Sequence, residues 1–301
     1  MSLRKDYLHL HFIVMIWGVT AILGMLITMP PLEVVFYRTL IASLGLLVVV
    51  QARQTGFKIG DTKNYLIVLG TGAMIAAHWV TFFLSARIST VSVCLAGMAT
   101  CSLWTAIIEP LSLGRRVKGF EVILGLIALI GIVVIFNVEM DYLSGLLVAI
   151  LSAFLASLFS VINGKLSKIH DPYVITFYEM VGACFSTVLF FPIYRHYYAD
   201  ELQLMGPLSD FIYLILLALI CTVYAYSAWV GLMKRLTVFS INLTINLEPV
   251  YGILLALVIF GDREEMSVGF YLGTSLILVS VLLYPILNRK LRHKAFFSDI
   301  I

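Results

Sequence analysis

Ten apolar stretches, at about 8–29, 32–52, 64–86, 90–113, 119–136, 142–164, 172–194, 209–232, 237–260 and 267–287, restrict this chain to one kind of fold. Each is close to the ~20 residues that an α-helix needs to cross ~30 Å of hydrocarbon. Lipid offers no partner for an open backbone, so the stretches predict helices. A chain of 301 residues that is 61% hydrophobic and 12% charged has too little charge to cover a soluble exterior. The expected fold class is all-α and integral to the membrane, with ten transmembrane helices. The stretch at 8–29 is too long for a signal-peptide core, and Thr28-Met29-Pro30-Pro31 is a poor cleavage site.

The charges between the stretches set an orientation. Of the 20 Lys and Arg, all but Arg38, Arg87, Arg195 and Arg263 fall in the segments that are internal if the N-terminus is internal. That asymmetry is a strong positive-inside signal and predicts two cytoplasmic termini. The net charge of +3 is too small to point to nucleic acid. Cys94, Cys101, Cys184 and Cys221 all lie inside apolar stretches, without metal-ligand spacing, and read as small core residues.

The chain also repeats itself. Pro31, followed by Phe36-Tyr37-Arg38, returns 141 residues later as Pro172, followed by Phe177-Tyr178-Glu179. Thr90-Val91 returns as Thr237-Val238, and Leu113-Gly114-x-Arg116 as Phe260-Gly261-x-Arg263, both at an offset of 147. The polar segment 194–206 absorbs the difference, because insertions in loops are cheap. The expected domains are 1–140 and 141–301, each of five helices. An odd number of crossings inverts the second copy, a common transporter architecture with its site between the halves.

Two five-helix units, a proline-led second helix carrying Arg38, and Pro249 with Gly261-Asp262 before a glycine-bearing last helix resemble the EamA family of the drug/metabolite transporter superfamily. The resemblance implies alternating access around a cavity lined by the first four helices of each unit, with the fifth and tenth as supports. It also implies export. The sequence departs from the family pattern where Arg115 and Asp262 follow the closing glycines in place of Glu. Ser102 stands opposite Pro249, so a kink is expected in the second copy alone. Glu109-Pro110 is out of register with Glu248-Pro249.

Ionisable groups inside a membrane are costly and so are candidates for function. His78 shares a polar face with Thr71, Thr81 and Ser85, and reads either as a cavity residue or as a hydrogen-bonded packing residue. Glu248 lies near the middle of the ninth stretch with Ser240, Thr244 and Tyr251 on its face; the alternative is a carboxyl kept neutral by a hydroxyl. Glu109 either faces the cavity or pairs with a basic residue at the inner interface. Glu248, His78 and Glu109 are the proton-coupling candidates. Arg38 and Glu179 occupy equivalent positions and form a candidate gating or structural pair; Arg38 also suits a substrate carboxylate. Glu33, at a helix start, reads as structural.

Trp17 and Trp79 are deep enough to line a cavity, whereas most other membrane aromatics, Trp104, Tyr226 and Trp229 among them, read as packing or interface. The substrate-binding candidates are Arg38, Trp17, Tyr37, His78, Trp79, Tyr178, Asn246 and Tyr251. The small-residue stripes Thr20/Gly24/Thr28 and Ala149/Ala153/Ser157 read as helix-packing faces. No phosphate-binding loop, catalytic triad or metal cluster is legible, so neither an enzyme nor a cofactor is expected. The expected partners are a small-molecule substrate and the lipid bilayer. The expectation is a secondary exporter of amino acids or related metabolites, possible proton coupling included, in a cell membrane of bacterial inner-membrane type. The competing class is a polytopic receptor or scaffold without transport.

Overall fold

The computed structural model describes residues 3–298, apart from 118, 139, 246, 249–250, 253–254, 256–257, 260 and 262–266. Its elements are helices: α1 (Leu3–Gly18), α2 (Thr20–Leu26), α3 (Pro31–Arg53), α4 (Thr62–Ile88), α5 (Val91–Met98), α6 (Cys101–Ser112) and α7 (Gly119–Val138) in the first half. The second half holds α8 (Leu143–Leu166), α9 (Pro172–Tyr197), α10 (Leu208–Ala218), a π-turn (Leu219–Tyr224), α11 (Ala225–Leu232), α12 (Val238–Ile245) and α13 (Val268–Ser298). Among the described residues, seven segments are long and apolar enough to cross a membrane: Arg4–Leu26, Pro31–Arg53, Thr62–Ile88, Val91–Ser112, Leu143–Leu166, Pro172–Tyr197 and Leu208–Leu232. Val268–Ser280 is a shorter apolar helix.

The repeated sequence marks have repeated structural causes. Thr90 and Thr237 each cap a helix with the side-chain oxygen, which accepts from Val93 N (3.1 Å) and Ser240 N (3.2 Å), respectively. Gly114 and Gly261 both take positive φ, at 64° and 56°, where a side chain would be strained. Pro31 and Pro172 open α3 and α9, where a missing N–H costs nothing.

Two stretches that read as continuous are interrupted without proline. The stretch at 90–113 breaks between α5 and α6, where the Thr100 hydroxyl donates to Gly97 O at 2.8 Å. This corrects the expectation of a kink in the second copy alone. The stretch at 209–232 carries the π-turn, in which the Thr222 hydroxyl reaches back five residues to Leu217 O (3.0 Å). Pro249 and Asp262 lie outside the described residues.

The halves interleave: α4 packs on α8 and α9, and α3 packs on α9. At the α4–α9 crossing, Gly72 and Gly182 each press against the other helix's backbone. The helices α7 and α13 pair with one another, with Gly131 against the Gly273 carbonyl. Polarity is inverted relative to a soluble protein. Leu44, Val48, Leu66, Phe185 and Leu189 face outward, while Arg38, Glu179 and Asp210 are buried. An outer surface so apolar needs lipid around it.

Candidate functional site

A cavity of ≈ 90 Å³ lies between the halves and has both a cation and an acid in its wall. The first half contributes Trp17, Thr20, Arg38, His78, Trp79, Phe82, Met98, Ala99 and Cys101. The second contributes Ala156, Phe159, Ser160, Tyr226, Trp229, Asn242, Ile245 and Glu248. At 10–15 Å³ per water-sized probe, the space holds roughly six waters or a small solute.

Arg38 is 2% exposed, and three contacts position it. Its Nε donates to Thr222 Oγ1 at 2.9 Å, and its guanidinium carbon lies 3.7 Å from the Trp79 ring centroid and 6.0 Å from that of Phe83. Thr222 is within reach because the π-turn rotates it there, an arrangement common at functional sites. Cys221, in the same π-turn, offers its carbonyl oxygen to Trp17 Nε1 (3.0 Å). Arg38 Nη1 is buried without a partner, as are Trp229 Nε1 and Asn242 Oδ1 on residues of the same wall. Buried polar atoms are normally paired, so three unpaired ones around one cavity suit a polar solute. Glu248, 8% exposed, interacts electrostatically with Arg38.

Aromatic rings close the remaining wall. Trp79 meets Tyr226 edge-on at 6.3 Å, Tyr226 meets Trp229 at 5.0 Å, and Trp229 meets Trp17 at 5.9 Å. His78 lies 5.3 Å from Phe159 and is held to α8. The Ser152 hydroxyl donates to His78 O (2.8 Å), so His78 Nδ1 is the donor to Ser152 O (3.0 Å). That nitrogen therefore serves packing between the halves.

Contacts that join distant parts of the chain lie towards both ends of the helices. At one end Asp210 Oδ2 accepts from Thr28 N (2.9 Å), Thr28 Oγ1 (2.7 Å) and Met29 N (3.3 Å). Arg87 donates to the carbonyls of Gly24, Ile27 and Met29. Tyr37 donates to Leu204 O (2.8 Å), and Glu33 accepts from Gln203 N (3.1 Å). At the other end Arg235 forks onto Asp6 at 2.8 and 2.9 Å, Glu109 accepts from Phe239 N (2.9 Å), and Lys168 donates to Met233 O (2.6 Å). Glu109, Lys165, Lys168 and Arg235 line a second cavity there, of ≈ 270 Å³.

Of the candidates read from sequence, the cavity brings together Arg38, Trp17, His78, Trp79 and Glu248. Tyr37, Tyr178, Tyr251 and Glu109 are not on its wall: Tyr37 joins the Asp210 end, Tyr178 packs edge-on to Tyr65 at 5.1 Å, and Tyr251 is 36% exposed. Asn246 lies outside the described residues. Arg38 and Glu179 form no ion pair; Glu179 lies behind the wall, beside Asn163 and Tyr226. The sequence did hold a signal for the residues that were missed. Adding the repeat offset of 147 to Trp79, Phe82, Met98 and Cys101 gives Tyr226, Trp229, Ile245 and Glu248, and all eight line the cavity.

A lipid-facing bundle of helices that encloses a charged aromatic cavity between two repeated halves defines a membrane transporter. The model of the EamA-like transporter family matches residues 7–137 and again residues 143–284, and the chain belongs to that family. One protein of known crystal structure superposes with a TM-score of 0.70 over 95% of this chain and 99% of its own, at 17% identity, a likeness that carries the fold alone. No curated protein matches the chain.

Proposed function

We propose that this chain is a secondary transporter that exports amino acids or related zwitterionic metabolites by alternating access, with proton coupling at Glu248. The observation that carries this reading is the pairing of Arg38 and Glu248 in one aromatic-walled cavity. Arg38 Nη1 is open to a solute carboxylate. Glu248 and the ring faces of Trp79, Tyr226 and Trp229 suit an ammonium group. A receptor or scaffold has no use for opposite charges held at such depth. The family's two-repeat pattern and the positive-inside charges support ten crossings with both termini cytoplasmic, in a bacterial inner membrane.

The test is flux of labelled amino acids in proteoliposomes, with and without an imposed pH gradient. Saturable flux that follows the gradient is expected. Binding without flux for every amino acid and amine tried would return the chain to the receptor class.

A further inference from the structure

Glu179 is 0% exposed, and Asn163 of α8 and Tyr226 of α11 are the hydrogen-bonding groups beside its carboxyl. Asn163 is also 0% exposed; its Nδ2 donates to Tyr226 Oη at 2.9 Å, and its Oδ1 has no partner. The helix α4 lays the backbone of Gly72 against the Glu179 carbonyl. Among the described residues packed around it, Tyr226 is the titratable group that interacts with the carboxyl, and no charged group does so. Arg38 on α3 is turned to Thr222 and Trp79, and His78 on α4 to Ser152.

A buried carboxylate is costly unless hydrogen bonds meet its charge, and Asn163 and Tyr226 are placed to meet it, so the carboxyl can exist with its proton or without it. Tyr226 separates this acid from the central cavity and belongs to the wall of that cavity. The repeat adds a second line of argument. Glu179 stands where the first copy has Arg38, so the second copy replaces a permanent charge with one that can come and go.

We infer that Glu179 is a second proton site, off the path of the solute, which exchanges its proton with the central cavity through the Tyr226 hydroxyl. In the forward step the carboxyl hydrogen passes to Tyr226 Oη while the phenolic hydrogen passes to a water or solute amine in the cavity. Glu179 is left as a carboxylate, Tyr226 ends neutral, and the acceptor gains the proton. The bond from Asn163 Nδ2 fixes the hydroxyl between the two. Because Glu179 is not on the cavity wall, solute and proton can be held together.

This inference takes its physiological use from the transport reading, but its test does not need flux. Purified protein in nanodiscs is taken through pH steps, and infrared difference spectra are recorded for the parent, Glu179→Gln and Tyr226→Phe. Glu179→Gln is expected to lose one pH-dependent carboxyl C=O band that the parent shows. Tyr226→Phe should keep that band but exchange its proton with the medium at least tenfold more slowly. A Glu179→Gln spectrum identical to the parent overturns the inference, as does a band that follows sodium at fixed pH. If Glu179→Gln does not fold, Glu179→Asp should shift the frequency of the band, and an unshifted band overturns the inference equally. Absence of flux in the parent would refute the transport reading while leaving the infrared result intact.

Discussion

The guanidinium carbon of Arg38 lies 3.7 Å from the Trp79 ring centroid, and Nη1 stays open while Thr222 holds Nε at 2.9 Å. The ring and the hydroxyl hold the fork without occupying Nη1. An ammonium group has no plane to fix, so Lys at this position cannot keep both the stacking and the bidentate edge. Arg38→Lys is therefore expected to raise KM for carboxylate-bearing solutes about tenfold, equivalent to ~1.4 kcal/mol, and to leave cationic amines nearly unchanged. Solute competition in proteoliposomes reads the difference. Equal losses for both solutes, with unfolding in detergent, would make Arg38 a structural clamp.

Two residues are candidates for the proton in the cavity. Glu248 interacts electrostatically with Arg38, whereas His78 spends Nδ1 on Ser152 and so ties α4 to α8. Glu248→Gln mimics the protonated acid. Its expected phenotype is solute exchange that persists but ignores an imposed pH gradient. His78→Gln is expected to follow the gradient as the parent does, with thermal stability lowered by about 1 kcal/mol for the lost hydrogen bond. The reverse pattern would move the proton to His78.

The α4–α9 crossing yields a paired prediction on stability. A Cβ on Gly72 would collide with the Glu179 carbonyl and stand 2.7 Å from Ala183 N, while a Cβ on Gly70 would meet nothing within 4 Å. Gly72→Ala should lower stability by about 1–3 kcal/mol, because backbone atoms cannot swing aside. Gly70→Ala, two residues away, should be neutral. Thermal unfolding in one detergent compares the two, and equal melting would mean that the crossing is looser than drawn.

The membrane class, the repeat and five of the seventeen residues on the cavity wall were legible because each rests on residues that lipid makes expensive or that a turn requires. Arg38, His78 and Glu248 stood out as intramembrane ionisable groups, and Thr90/Thr237 and Gly114/Gly261 as matched caps. Tyr37, Tyr178 and Tyr251 were misplaced because depth along a helix says nothing of the face a residue occupies. Tyr226 and Trp229 follow a π-turn, which shifts the face of every later residue on the helix and cannot be read from a 3.6-residue period. The small-residue stripes pointed to Gly24 and Ala149, which meet Phe83 and Gly97, while the closest backbone approach is at Gly72 and Gly182. Spacing finds candidate packing faces, but only the partner helix decides which one is used.

Topology has a direct check. Reporters fused after Arg53, Arg116 and Lys294 are expected to report cytoplasm, and reporters near Asp141 and Asp200 the outside. A shared side for fusions at Lys118 and Asp141 would remove one crossing and, with it, the inversion of the second repeat.

Asp210 carries the last prediction. It lies in the second half, is 0% exposed, and grips Thr28 and Met29 of the first half through three hydrogen bonds to one oxygen. Arg87 holds the carbonyls of the same turn, so the link between α2 and α3 is clamped on both its donors and its acceptors. On the proposed orientation this end is the outer one, and a pathway to the outside must release the clamp. Asp210→Ala leaves two backbone N–H groups without their acceptor, at about 1–3 kcal/mol for each group if it stays buried. The closed arrangement alone bears that cost, so the balance should move towards an outward-open form by roughly tenfold or more. Cys101 lies on the cavity wall and reports the change. In a background with Cys94, Cys184 and Cys221 replaced by Ala, an impermeant maleimide added outside should label Cys101 at least tenfold faster in Asp210→Ala than in its parent. Addition of a saturating amino acid should slow labelling in both, because the solute occupies the same cavity. Faster unfolding without faster labelling would mean that Asp210 caps the fold and gates nothing.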